Sequence, residues 1–207
     1  MKYSIRIKHL IARFRRFQHR RGYGVHSPFA FDLITYVIYE HSPYYAYKEL
    51  QEKENKLKIN QPRGWLNEPL HLRRLLFRLS NYVQPCTIVD IGQPSASSLY
   101  LQGGSQKANY HAVLHTTSDV SITLPALIYI HCWQKPDLVE SIFDSIIEKI
   151  DSHSLIVIQG IGYSKEMRIL WERLQENEHA GITFDLYDLG LLFFDKSKIK
   201  QHYIVNF

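Results

Sequence analysis

From residue 87 onward the chain alternates short β-branched runs with amphipathic stretches of helical period, and this grammar restricts the fold more than any other feature of its 207 residues. Thr87–Ile91 is an apolar run that leads into a turn of small residues from Gly92 to Ser98, and Tyr110–His115 and Leu127–His131 are further candidate strands. Pro136–Ile150 carries Val139, Ile142, Phe143, Ile146, Ile147 and Ile150 at spacings of three and four, which predicts a helix with one buried stripe. Leu155–Ile158 is apolar throughout, as in a strand buried on both faces. Ser164 can cap a helix that reaches Glu176. Ile182–Leu186, Leu191–Phe194 and His202–Val205 then read as strands, with a turn region at Asp195–Lys200 between the last two. Strands alternating with helices predict an α/β fold: an open, mostly parallel sheet covered by helices and closed by an antiparallel hairpin.

The first 85 residues follow a different pattern and read as helical. Ser27 can cap, Pro28 suits the first turn, and Phe29, Leu33, Ile34, Val37 and Ile38 form a stripe that ends before Pro43. A charged helical stretch runs from Tyr44 to about Leu57, and Asn60–Asn67 reads as a loop because it contains Pro62 and Gly64. Glu68 to Tyr82 places Leu72, Leu75, Leu76 and Leu79 on one face. The expected organisation is a helical segment over 1–85 and an α/β domain over 86–207, with no internal repeat.

Charge is concentrated at one end. Residues 1–21 hold eight lysines and arginines and no acid, so against a total of +5 the rest of the chain carries −3. Ile7, Leu10, Ile11, Phe14 and Phe17 share one helical stripe within this arm. Such a basic amphipathic helix suits a nucleic-acid backbone or an anionic membrane surface. The competing reading docks its apolar face on the body and leaves the arginines in water. Only Cys86 and Cys132 are present, which argues against a disulfide framework and for a reducing, cytoplasmic setting. No apolar run approaches the roughly 18 residues needed to span a bilayer, and charges interrupt Met1–Phe14 too often for a signal peptide.

In open α/β sheets ligands bind outside the carboxyl ends of the strands. The first strand ends at Asp90-Ile91-Gly92, where small residues let a cofactor approach the backbone and a helix N-terminus favours anionic groups. A strand-to-helix turn also needs a glycine for its own sake. Among eleven histidines, His111, His115 and His131 with Cys132 make the best cluster for a soft metal, but no CxxC or helical HxxxH spacing accompanies them. Ser95, Ser97 and Ser98 lack the G-x-S-x-G setting of a nucleophile elbow. Tyr44, Tyr45 and Tyr47 fit either a substrate groove or aromatic core, and His26 either a substrate pocket or the fixing of the adjacent helix cap.

The run from Leu75 to Leu101, "LLFRLSNYVQPCTIVDIG…SSLYL", resembles the beginning of a class I S-adenosylmethionine-dependent methyltransferase domain. Arg21–Ile34, "RGYGVHSPFAFDLI", and Ser164–Phe207 are similar to a group of small Bacteroidetes-type methyltransferase-like proteins. The resemblance implies a Rossmann-like sheet with a C-terminal antiparallel hairpin and an N-terminal helical cap. It implies S-adenosylmethionine as cofactor, with Asp90, Gly92, Ser95 and His131 at the positions that would surround it. Several positions depart from the pattern. Gln93, Pro94 and Ala96 replace a glycine-richer turn, and the second strand ends at His115 without an acid for the ribose hydroxyls, Asp119 being a distant substitute. Ile130-His131-Cys132 stands where similar proteins read Ile-Asp-Gly, and Gln159-Gly160 where they read Asp-Asp.

Length departs as well. Eleven residues, Thr116–Ala126, separate the second and third candidate strands, whereas a full methyltransferase places a helix, a strand and another helix there. Part of the sheet's second half-unit is therefore expected to be deleted. The combined expectation is an S-adenosylmethionine-dependent methyltransferase-like protein with reduced or lost catalytic activity. The alternative is a non-catalytic scaffold or interaction protein on that fold, whose basic arm contacts nucleic acid, an anionic surface or a protein partner, the other expected ligand being a small molecule.

Overall fold

The computed structural model describes residues 25–59, 68–114 and 121–207. The basic arm, the Asn60–Asn67 loop and His115 to Val120, including Asp119, lie outside the described residues. Helix α1 (Pro28–Leu33) starts with Ser27 accepting from the Ala30 N–H, and Pro28 occupies the first turn, where its missing N–H costs nothing. The helix then widens into a π turn over Ile34–Ile38, closed by the Tyr39 N–H donating to the Ile34 carbonyl. α2 (Ala46–Ile59) and α3 (Leu70–Val83) follow.

The sheet is built from β1 (Thr87–Ile91), β2 (Asn109–Val113), β3 (Ala126–Ile130), β4 (Leu155–Gln159), β5 (Ile182–Asp185), β6 (Leu189–Phe193) and β7 (Gln201–Ile204). Their spatial order is β2-β1-β3-β4-β6-β5-β7. β2, β1, β3 and β4 are parallel, and β6 runs antiparallel to both β4 and β5. The interleaved helices are α4 (Ser97–Gly104), α5 (Pro136–Ile146) and α6 (Lys165–Glu176). The expected hairpin is present as β5–β6. Across the Asp195–Lys200 region, however, β7 does not fold back on β6; it passes on to pair in parallel with β5. The helix expected over 136–150 ends at Ile146 and tightens into a 3₁₀ turn over Ile147–Lys149.

All five residues of β1, β3 and β4 are buried, because helices cover both faces of the sheet. On one face Ile88, Leu127, Tyr129, Leu155 and Val157 pack with α1, its π turn and α3. On the other, Val89, Ile91, Ile128, Ile130, Ile156 and Ile158 pack with α5 and α6. The N-terminal helices thus share a core with the sheet. Arg78 of α3 is buried and its guanidinium donates to the carbonyls of Val37 (2.5 Å) and Ile38 (3.1 Å), which lie in the π turn. A buried ion pair joins Arg73 to Glu54, whose other carboxylate oxygen accepts from the Tyr100 hydroxyl at 3.1 Å.

α3 and α4 approach closely enough that a Cβ at Gly104 would lie 2.3 Å from the Phe77 carbonyl oxygen and 2.7 Å from the Ser80 Cβ. The Ser80 hydroxyl bridges the pair by donating to the Leu101 carbonyl at 2.7 Å. Because the obstacle is backbone, Gly104→Ala is expected to lower unfolding free energy by about 1–3 kcal/mol in urea denaturation. An unchanged midpoint would mean that the two helices can separate freely.

Candidate functional site

β1 leads through α4 to β2 on one side, and the chain then crosses over β1 to enter β3 on the other. This change of direction opens a crevice outside the carboxyl ends of β1 and β3, the usual ligand position in such sheets. The residues there are Asp90 and Gly92 at the end of β1 and His131 just past β3. Gly92 has φ +145°, a conformation that side chains rarely adopt.

Alternation along the strands brings these groups together. Tyr129 and His131 lie two residues apart and point to the same side, and Asp90 is the register partner of Tyr129 across the parallel pair. The His131 ring stacks on Tyr129 with centroids 4.8 Å apart and planes 18° from parallel. Its Nε2 is 2.8 Å from Asp90 Oδ1, and the Tyr110 hydroxyl donates to Asp90 Oδ2 at 2.6 Å. The other imidazole nitrogen, Nδ1, is buried without a hydrogen-bond partner among the described residues and faces Gly92. A Cβ built on Gly92 would lie 2.7 Å from that nitrogen, so the imidazole rests directly on the glycine. His131 is only 3% exposed.

Glu68, just before α3, extends the network. It is buried and accepts from the hydroxyls of Tyr129 and Ser97. Ser95 is also buried, and its hydroxyl accepts the Ser97 N–H at 3.2 Å at the start of α4. Further along the carboxyl edge, the Trp133 side chain lies where a Cβ of Gly160 would point, and it meets the Tyr163 ring edge-on at 5.1 Å. Tyr187, a non-glycine residue at φ +70°, covers Gly162 in the same way. A space of about 180 Å³ remains beside this edge, lined by Gly92, Gln93, Leu114, Cys132, Gln134, Lys135 and Leu138.

Of the residues singled out in the sequence, Asp90, Gly92 and His131 meet in this crevice and Ser95 supports the turn. His111 lies on β2, His115 is outside the described residues, and His131 is engaged with Asp90. His26 is exposed beside the cap of α1. Tyr44 and Tyr47 pack with Phe77, whereas Tyr45 is fully exposed. Sequence reasoning missed Glu68, Tyr110 and Tyr129. Glu68 stands where the expected helix begins, and nothing local tells a buried carboxylate from an exposed first-turn acid.

Three solved structures share this fold at low sequence identity. Cofactor-bound Rv0187 from MTB aligns over 81% of this chain and 97% of its own, with a TM-score of 0.52 and 12% identity. The SAH-bound methyltransferase PaMTH1 of Podospora anserina aligns over 82% and 96%, with a TM-score of 0.51 and 11% identity. The fold is that of the class I methyltransferases. A protein of Corynebacterium glutamicum aligns over 86% of this chain and all of its own, with a TM-score of 0.51 and 13% identity. No protein-family model matches the chain, and no curated protein matches it in sequence. Against the connection expected of this methyltransferase fold, the twelve residues between β2 and β3 are few, and β2 is an edge of the sheet among the described residues. No helix among those residues is long and apolar enough to cross a membrane.

The phenols of this fold's crevice are held neutral. Burial, reinforced by the charge of Asp90, pushes the Tyr110 hydroxyl far above the ordinary tyrosine range. Burial and Glu68 do the same to Tyr129, and burial and Asp188 to Tyr163. Outside the crevice, burial and Glu54 push Tyr100 up to about 12. In the unfolded chain these groups ionise near pH 10, so above that pH the native state binds more protons and stability falls as pH rises. The contribution of Tyr100 is lost between about pH 10 and 12. Urea denaturation followed from neutral to about pH 11 should show this decline, and Tyr110→Phe should make it shallower. A slope that Tyr110→Phe leaves unchanged would point to other groups as its cause.

Proposed function

We propose that this chain is an S-adenosylmethionine-dependent methyltransferase-like protein that has lost catalysis and serves as a scaffold or interaction protein. One observation carries the reading: the His131 imidazole fills the space over Gly92, where a cofactor would have to approach the β1 turn. Asp90, Gly92, Ser95 and His131 mark the ancestral cofactor positions, but here Asp90 and His131 bond each other and the His131 ring seats on Gly92. Asp90 is occupied by Tyr110 and His131, Glu68 by Tyr129 and Ser97, and the Ser95 hydroxyl by the Ser97 N–H. The residues present therefore do not fit S-adenosylmethionine. The neighbouring space of about 180 Å³ is below the roughly 300 Å³ at which small-molecule pockets usually begin.

The neighbouring strand end is crowded as well. Trp133 and Tyr163 crowd Gly160, and Tyr187 crowds Gly162, at the carboxyl edge beside the crevice. Methyl transfer depends on proximity and alignment of donor and acceptor, so loss of room is sufficient to abolish it without loss of any acid or base. The basic residues 1–21 supply the contact surface on this reading, for an anionic or protein partner.

Calorimetric titration of the full chain with S-adenosylmethionine and S-adenosylhomocysteine is expected to give no heat, and millimolar ligand no thermal shift. Saturable binding of either would sink the proposal. His131→Ala removes a partner of buried Asp90 and should cost about 1–3 kcal/mol of stability by urea denaturation. A variant as stable as the parent would show that the imidazole does not hold the crevice together.

A further inference from the structure

A second cavity lies on the helical side of the molecule, away from the crevice. It is a groove of about 340 Å³ between the π turn and α3, lined by Asp32, Tyr36, Val37, Tyr44, Arg78, Asn81 and Tyr82. We propose that this groove binds a quaternary ammonium group, held by the faces of three tyrosines and by the charge of Asp32. The inference does not depend on whether the crevice takes a cofactor.

The three rings come from three separate elements. Tyr36 projects from the π turn, Tyr44 from the segment before α2, and Tyr82 from the last turn of α3. Tyr36 and Tyr82 are 62% and 43% exposed, so both rings are open to a ligand in the groove. Tyr44 is a fixed wall, packed at 5.3 Å against Tyr47 and edge-on at 5.2 Å against Phe77. Tyr36 lies within the π turn, and such turns recur at functional sites.

Charge selects a cation over an anion. Asp32 lies in the groove beside Tyr82, and Glu40 acts on Tyr44 from its edge; burial first, and these carboxylates after it, raise the two phenols. The ring faces themselves are electron-rich and attract cations. The one cation in the lining, Arg78, is spent on the Val37 and Ile38 carbonyls and on the Tyr47 hydroxyl. Arg74, the next cation back along α3, lies over the Tyr47 ring at 4.7 Å. Among the described residues, Asp32 in the lining and Glu40 at its edge outnumber the Arg78 guanidinium. An alkylated ammonium suits it because it is weakly hydrated and needs ring faces more than hydrogen bonds.

The test is titration of the full chain with tetramethylammonium, choline and trimethyllysine amide, followed by NMR shifts of the groove residues. Saturable binding is expected, with 3,3-dimethylbutanol, the neutral isostere of choline, at least roughly tenfold weaker. Tyr36→Ala and Asp32→Asn should each weaken binding roughly threefold to tenfold. Tyr36→Phe, which keeps the ring, should retain it. Both positions are exposed, and thermal melts confirm that the variants are folded. Tighter binding of choline would name a free metabolite as the source of the group, and tighter binding of trimethyllysine amide a modified protein side chain. Equal affinity for the neutral isostere, shifts outside the groove, full affinity in Asp32→Asn, or no saturation with any of the three cations would overturn the proposal.

Discussion

The bond between His131 and Asp90 decides what the centre of this molecule is. It joins β1 to the loop after β3 at the point where the sheet changes direction, which is where a doubly wound sheet would otherwise be open. Stacking on Tyr129 fixes the plane of the imidazole, and the absence of a side chain on Gly92 gives it a seat. Tyr110 completes the shell of Asp90, while Glu68 ties Tyr129 to the start of α4. The centre is thus a set of carboxylates matched to phenol, hydroxyl and imidazole groups. Such a network stabilises only when its members are paired, since an unpaired buried charge is expensive.

A similar economy appears on the helical side. Glu54 meets Arg73 and Tyr100, and Arg78 satisfies carbonyls in the π turn. α1 and α3 therefore cover the sheet with both apolar contact and polar closure, so the helical cap and the sheet share one core.

Much of the architecture was legible in the sequence because hydrophobic period is a local signal. The uninterrupted apolar run Leu155–Ile158, the stripe of α5 and the Ser27-Pro28 and Ser164 starts all appear where the pattern places them. The partner of β7 was not legible, because pairing with β5 instead of β6 is set by long-range packing. Of the site, Asp90, Gly92 and His131 could be named from their places at strand ends. That His131 reaches Asp90 and lies on Gly92 needed the register of β1 against β3, which no local pattern carries. Glu68 was hidden for the same reason: its phenol partner is 61 positions away.

The short connection between β2 and β3 also bears on how the chain assembles. Register partners on β1 and β3 are 39 positions apart, from Thr87 with Ala126 to Ile91 with Ile130. A further helix–strand–helix of roughly 30 residues would nearly double that separation. The entropy of closing the loop would then rise by about 0.6 kcal/mol, before the central pair could form. Lower sequence separation between contacting residues generally goes with faster folding. The short connection thus shortens the search by which the middle of the sheet comes together.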